Sequence, residues 1–190
     1  LEGIMVMGGF TGIYFINQMQ SQMSGQWLLI LAIFIAMAGG LLLSLPHAYA
    51  SVNLKADQVI SGTALNMFAP AFVIYIARMI QPSGIANVSF KNTFFIHKVP
   101  VLCDIPVIGD ILFRNTYITT FLGFFILIVS AVVLYKTRFG MRLRACGEHP
   151  QAADSVGINV YKMRYIGVMI SGVLAGLGGL VLTVPISTEF

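Results

Sequence analysis

Few side chains in this sequence could act as catalysts, and they stand alone. Glu148-His149 pairs an acid with a histidine, but Pro150 follows and no second histidine lies near enough to complete a zinc site. The Ser-Gly pairs at Ser61 and Ser171 lack the glycine two positions earlier that a membrane serine-protease elbow requires. No G-x-x-x-x-G-K loop for ATP phosphates occurs. The sequence therefore predicts no catalytic residue, no metal site and no cofactor bound by this chain.

The histidines and cysteines give no stronger signal. His47, His97 and His149 fall in predicted loops or at predicted helix ends, where a solvated imidazole is the expected state. Cys103 and Cys146 do not form a C-x-x-C motif and are too few for a disulfide framework. Redox chemistry is not expected.

Polar residues inside one apolar run are more informative, because each costs free energy in a membrane unless it faces protein or water. Gln58, Ser61, Thr63 and Asn66 open this run, and Pro70 permits a kink within it. Ser61 and Asn66 lie about 140° apart around a helix, so the polar sector is broad. The pattern fits a solute pathway and equally fits hydrogen bonding between helices.

Asn66 is the leading pathway candidate, with Phe68 two residues later. An amide can hydrogen-bond the hydroxyls of a sugar or nucleoside, and an aromatic ring can stack on a base. Phe68 lies about 200° around the helix from Asn66, so both can face one cavity only if the Pro70 region distorts the helix.

Small residues form a second pattern, on helix faces. Gly8 and Gly12 are four residues apart, as are Gly172 and Gly176, and Gly179 continues the latter face. G-x-x-x-G faces let membrane helices approach closely. We expect helix packing from these glycines, with self-association of the chain as the alternative.

The elements that carry these residues must lie in a bilayer. Of the 190 residues, 57% are hydrophobic and 9% are charged, against roughly 25% charged in soluble domains. Four apolar runs are long enough to span a hydrocarbon core of ~30 Å: Trp27–Leu45, Val59–Ala77, Asn115–Tyr135 and Tyr165–Thr188. A fifth run, Gly3–Ile16, resembles the rear of a helix, so we expect the chain to be an internal piece of a longer protein.

The predicted fold is therefore all-α, a polytopic transmembrane helix bundle with about five membrane segments. The formal charge of +4 comes from basic residues that punctuate loops, which does not indicate nucleic acid binding. The loop 136–164 holds six of the basic residues and is assigned to the cytoplasm. Alternation then places 46–58 inside and both 17–26 and 81–114 outside.

The outer segment 81–114 is long for a connection between helices. Its stretch Val99–Asp110 alternates prolines and acids with apolar residues, which suits an ordered extracytoplasmic cap. A plain extracellular loop is the alternative. On the same topology Cys103 lies outside and Cys146 inside.

The cytoplasmic stretch 136–164 carries the strongest local signal. A basic run ends near Gly147, Pro150 can occupy the first turn of a helix, and Gly157 can end it. The sequence predicts a short helix between two bends, with Ala152 and Ala153 as a small docking surface for a cytoplasmic partner. The basic run before it could serve only as a positive-inside anchor.

Here the sequence resembles a known family. The blocks 142–160 and 171–179 are similar to permease subunits of bacterial ABC importers for branched-chain amino acids and simple sugars. Glu2–Met5, Ala56–Asn66 and Val99–Phe113 most resemble the nucleoside and simple-sugar permeases. These blocks follow in order along almost the whole chain.

The resemblance implies a subunit of the cell (inner) membrane that carries a nucleoside or simple sugar. It would pair with a second permease subunit, cytoplasmic ABC ATPase subunits that hold ATP and Mg, and an extracytoplasmic solute-binding protein. The 147–157 turn would be the coupling helix, and the implied coupling residues are Arg144, Gly147, Glu148, Pro150, Ala152, Ala153, Asp154 and Gly157. The alternative function is a membrane scaffold that associates through its glycine faces and transports nothing.

Overall fold

The computed structural model describes residues 2–22, 25–80, 95–98 and 114–186. In chain order the elements are α1 (Glu2–Met19), α2 (Gln26–Val52), α3 (Gln58–Ile80), β1 (Phe95–Lys98), β2 (Arg114–Tyr117), α4 (Ile118–Lys136), α5 (Arg138–Glu148), α6 (Pro150–Ser155) and α7 (Val160–Ile186). The predicted helical membrane bundle is confirmed. Strands in the described residues are confined to one short ribbon.

Four helices are long and apolar enough to cross a membrane: Gln26–Val52, Gln58–Ile80, Thr119–Lys136 and Val160–Val184. They coincide with the four complete apolar runs of the sequence, which confirms those spans. The fifth predicted run forms α1, whose 18 residues extend ~27 Å at 1.5 Å per residue.

The helix ends differ from the predicted ones at α2. This helix passes through Pro46 and continues to Val52, although a loop was expected from residue 46. Proline removes one backbone hydrogen bond without ending a long helix that is held by its neighbours. The predicted loop 46–58 is therefore wrong at its start, and the connection between α2 and α3 shortens to 53–57.

Side-chain caps explain where the next helices begin. The Val59 N–H donates to Asp57 Oδ1 at 2.8 Å, which caps α3. The Lys162 N–H donates to Asn159 Oδ1 at 2.9 Å, which caps α7 and starts it five residues before the predicted Tyr165.

The described residues divide into two compact units. One comprises 1–91 and 142–190, and the other comprises 92–141. In the second unit β1 and β2 pair antiparallel, with Phe95 opposite Tyr117, and β2 leads directly into α4. The predicted cap Val99–Asp110, with Cys103, lies outside the described residues.

In the first unit, α1, α2 and α7 pack against one another, and α3 packs on α1 and α2. The core is built of fully buried aliphatic side chains from the first three of these helices: Ile13, Ile16, Leu28, Leu29 and Leu180. Lipid tails are as apolar as these side chains, so close packing contributes much of the attraction between the helices and their shape complementarity matters.

Glycines supply that close fit. A Cβ added at Gly8 would stand 2.5 Å from the Gly176 carbonyl oxygen, and one at Gly12 would stand 2.7 Å from Leu180 Cδ1. A Cβ at Gly179 would stand 2.7 Å from the Met5 carbonyl carbon. At Gly8 and Gly179 the two helices meet backbone against backbone, and at Gly12 the Leu180 side chain fills the space, so any larger residue must push the helices apart.

The partner surface on α2 also lacks large side chains. A Cβ at Gly40 would stand 2.7 Å from Gly176 Cα, and a Cβ at Gly172 would overlap the Ser44 side chain. Sequence reasoning missed this face of α2. Its signal is the spacing of Ala36, Gly40 and Ser44, three small residues at intervals of four.

Candidate functional site

A cavity of about 240 Å³ lies between the first three helices. We call it the α3 cavity, and its lining is Ile4 from α1, His47 from α2, and Gln58, Gly62, Leu65 and Asn66 from α3. Two of these side chains, Ile4 and Leu65, are apolar. Three are polar: the imidazole of His47 and the amides of Gln58 and Asn66. Sites for small neutral ligands commonly have this composition.

Asn66 is fixed by a hydrogen bond across the helix interface. The Gly3 N–H donates to Asn66 Oδ1 at 2.9 Å. The bond orients the amide and uses one lone pair of its oxygen, which leaves the N–H donors for other partners.

The four predicted pathway residues do not all line one cavity. Gln58 and Asn66 line the α3 cavity, whereas Ser61 and Phe68 do not. Ser61 is hydrogen-bonded to a histidine on α2, and Phe68 stacks on Phe72 with ring centroids 5.2 Å apart. Phe68 is 53% exposed in this chain, so its side chain lies away from Asn66, as the helix geometry predicted.

His47 is a residue that sequence reasoning missed. It was assigned to a loop or helix end, but it lies inside α2, lines the α3 cavity, and places Nδ1 2.9 Å from Ser61 Oγ. The pairing follows from the observed connection 53–57, which the predicted loop 46–58 concealed, because residues about equally far from a short connection face each other in an antiparallel helix pair.

The short helix between two bends is confirmed. Helix α6 runs from Pro150 to Ser155, with proline in its first turn. Gly157 ends it at φ 85°, a left-handed conformation that favours glycine. The first bend lies at His149 and not at Gly147, because α5 continues to Glu148.

The structure separates the two alanines that were predicted to form one docking surface. Ala153 is buried at 5% exposure within its own chain, whereas Ala152 is exposed. Most other predicted coupling residues are also exposed: Arg144, Gly147, Glu148, Asp154 and Gly157. Ala153 therefore anchors α6 on its own chain, whereas the Ala152 side chain remains exposed.

Two further cavities lie where α2, α3 and α7 meet the α5–α6 region. One, the α6 cavity, measures about 520 Å³ and is lined by Lys55, Asp154 and Arg164 among others. The other measures about 450 Å³ and includes Cys146 and Gly147 in its lining. Gln58 lines both of these cavities and the α3 cavity, so it links the membrane cavity to the surroundings of α6.

The described part of the chain holds no group of three or more His, Cys, Asp or Glu side chains that could bind a metal ion. The polar groups of the α3 cavity are amides and one imidazole, which bind by hydrogen bonds. The arrangement is suited to recognising or passing a neutral polar solute.

A family model described as branched-chain amino acid transport system / permease component matches residues 1–189. The chain belongs to this family of membrane permease components. It is a multi-pass membrane protein, in agreement with its four spanning helices.

Individual relatives are more specific than the family model, because they are named for particular solutes. The guanosine ABC transporter permease protein NupQ of Bacillus subtilis and the nucleoside ABC transporter permease protein NupC of Lactococcus lactis are each 46% identical to it over 193 residues. The match covers 100% of this chain and 59% of each relative, so the chain spans about six-tenths of their length. A putative glucose ABC transporter permease protein, TsgC13 of Haloferax volcanii, is 29% identical over 98% of this chain and 54% of its own length. No solved structure matches the chain.

Proposed function

We propose that the full-length protein is the permease subunit of an ATP-driven importer that carries nucleosides across the cell membrane. The observation that carries this proposal is the identity of 46% over the whole chain to two permeases named for guanosine and nucleosides. The relative named for glucose is only 29% identical, which favours a nucleoside over a simple sugar.

The α3 cavity is the proposed part of the solute pathway. Gln58 and Asn66 present amides there, and Ile4 and Leu65 present apolar walls. A nucleoside is neutral and offers hydroxyls and a flat base, so amides can bind it without the cost of a buried charge.

Helix α6 is the proposed coupling helix. ATP hydrolysis, with ATP and Mg, belongs to separate cytoplasmic ATPase subunits, and a second permease subunit and an extracytoplasmic solute-binding protein complete the importer. The exposure of Ala152, Glu148 and Asp154 supports a contact with another subunit. Gln58 lines both the α6 cavity and the α3 cavity, so it connects the proposed subunit contact with the proposed pathway.

The proposed topology places 136–164 in the cytoplasm and 81–114 outside. Cys146 is a poor reporter because it is 2% exposed, but Val156, beside α6, is 79% exposed. With a membrane-impermeant thiol reagent, Val156→Cys in a Cys103→Ser background reacts only after cells are permeabilised. Reaction on intact cells would place α6 outside and refute its coupling role.

A non-transporting scaffold is the alternative function, and the glycine contacts argue against it. Gly8, Gly172 and Gly176 are already occupied by packing between helices of one chain. They are therefore not available as faces for self-association.

Purification of the full-length protein from its source membranes tests the importer directly. We expect an ABC ATPase to co-purify and its ATP hydrolysis to rise when guanosine and the solute-binding protein are added. Purification of a homo-oligomer without an ATPase would favour the scaffold.

A further inference from the structure

We propose that His47 contacts the solute in the pathway and that Ser61 positions its ring. The proposal rests on the proposed function, since it assigns a further residue to the same route. Two observations carry it: His47 lines the α3 cavity, and its Nδ1 is 2.9 Å from Ser61 Oγ.

His47 lies near one end of a long membrane helix, beside the connection to α3. Helix α2 has 27 residues and is ~40 Å long, which exceeds a hydrocarbon core of ~30 Å. His47 lies five residues before its end at Val52, next to the connection that leads into α3. A polar ring is tolerated at this level if a cavity or a polar partner receives it.

In the part of the chain that the structure describes, Ser61 is the one hydrogen-bond partner of the His47 ring, through Nδ1. A serine hydroxyl can donate or accept, so pairing it with Nδ1 orients the ring, and Nε2 accepts a hydrogen bond in one tautomer and donates one in the other. Nε2 is then the polar atom that His47 can offer to a second partner. The same cavity contains the amides of Gln58 and Asn66.

The size of the cavity limits what it can hold. At about 240 Å³ it is smaller than the ~300–1,000 Å³ typical of sites that enclose a whole ligand. Its volume suits one part of a nucleoside, either the base or the ribose. Ile4 and Leu65 would contact that part by apolar packing, and a few polar groups would hydrogen-bond it. His47, Gln58 and Asn66 are the three side chains available for those bonds.

The competing role for His47 is a clamp between α2 and α3. A clamp needs only the bond from Nδ1 to Ser61, whereas contact with a solute needs Nε2. Asparagine can place an amide near the Nδ1 position, and glutamine can reach the Nε2 position. The two substitutions therefore separate the roles.

The test measures uptake of radiolabelled guanosine by the full-length protein assembled with its partner subunits in proteoliposomes, per assembled complex. We expect His47→Leu and His47→Asn to lower uptake at subsaturating guanosine about tenfold, and His47→Gln to recover most of it. The loss should appear mainly in the apparent KM. Wild-type uptake by His47→Leu, or full recovery by His47→Asn but not His47→Gln, would overturn the proposal.

Ser61→Ala is expected to lower uptake about threefold, because the ring stays in place but loses its orienting bond. Ser130→Ala is the matched control, since the Ser130 hydroxyl donates to the Leu127 carbonyl of its own helix at 2.9 Å. Equal uptake by both serine variants would remove Ser61 as a positioning residue.

A second measurement does not depend on transport by the variant. In a Cys103→Ser, Cys146→Ala background, His47→Cys should react with a small water-soluble thiol reagent, and guanosine should slow that reaction. Reaction without protection by guanosine would overturn the contact. If wild type imports guanosine and His47→Leu does so equally well, only the role of His47 fails; if the wild-type complex imports no nucleoside, the proposed function fails as well.

Discussion

Helices α1, α2 and α7 are joined by close contacts at glycines, whereas α3, besides one such contact at Gly3, forms side-chain hydrogen bonds to α1 and α2 and borders a cavity. The apolar span of α2 is 50% buried within the chain, but that of α3 is only 11% buried. Around these glycines the first region has no room for a larger residue. The second has polar groups, open volume and a connection to α6, so transport is expected to depend on it.

The largest effect, on the yield of assembled protein, is expected from adding volume at the glycine contacts between α1, α2 and α7. Gly176→Leu would place a side chain against the backbones of α1 and α2, at a cost of about 3 kcal/mol or more. We expect the assembled protein to be lost, as measured by detergent-resistant yield from membranes. The control is Gly123→Ala in α4, where an added Cβ meets no described atom within 4 Å; a normal yield of Gly176→Leu would contradict the backbone contact.

A charge introduced on the exposed face of α6 tests whether an ATPase subunit docks there. Ala152→Arg should lower guanosine-stimulated ATP hydrolysis at least tenfold, which corresponds to a loss of ~1.4 kcal/mol in docking, while insertion stays normal. Ala152→Ser keeps the residue small and should retain most of the activity. Stimulation by Ala152→Arg equal to that of wild type would refute docking through this face.

The pathway itself is tested at Asn66. Asn66→Leu removes the amide with little change in volume, so uptake per assembled complex should fall about tenfold while the amount of complex changes less. Thr63→Val in the same helix is the control, because the Thr63 hydroxyl donates to the Val59 carbonyl at 2.8 Å and is exposed. If both variants transport equally, Asn66 serves only the packing of α3 on α1.

The smallest effect is expected at the link between the two regions. The Tyr165 hydroxyl donates to Asn53 Oδ1 at 2.9 Å, joining α7 to the α2–α3 connection. Tyr165→Phe should lower stability by about 1 kcal/mol or less, because the bond is exposed to solvent. Thermal denaturation of the purified protein measures this, and a large loss would show that the connection is a rigid part of the core.

The sequence predicted the spans well because apolar length alone decides which segments can cross a bilayer. It placed the end of α2 wrongly, since Pro46 and His47 read as a loop although the neighbouring helices keep them helical. Glycine spacing identified one face of α1 and of α7. It did not identify the α2 surface around Gly40, which is composed of different small residues.

The candidate site was only partly predictable. Polar residues in an apolar run pointed to Gln58 and Asn66, but the partner of Ser61 depends on how α2 and α3 align, which no local pattern gives. The short helix α6 followed from Pro150 and Gly157. Which of its two alanines is exposed depends on packing with the rest of the chain.

The most direct test of the account is ATP-dependent uptake of radiolabelled guanosine into proteoliposomes that contain the full-length protein, its ATPase and the second permease subunit, with the solute-binding protein added. The account predicts uptake that requires ATP on the α6 side of the membrane and that stops with Ala152→Arg. Uptake that is absent in the wild-type complex, or that proceeds equally without ATP, would contradict it.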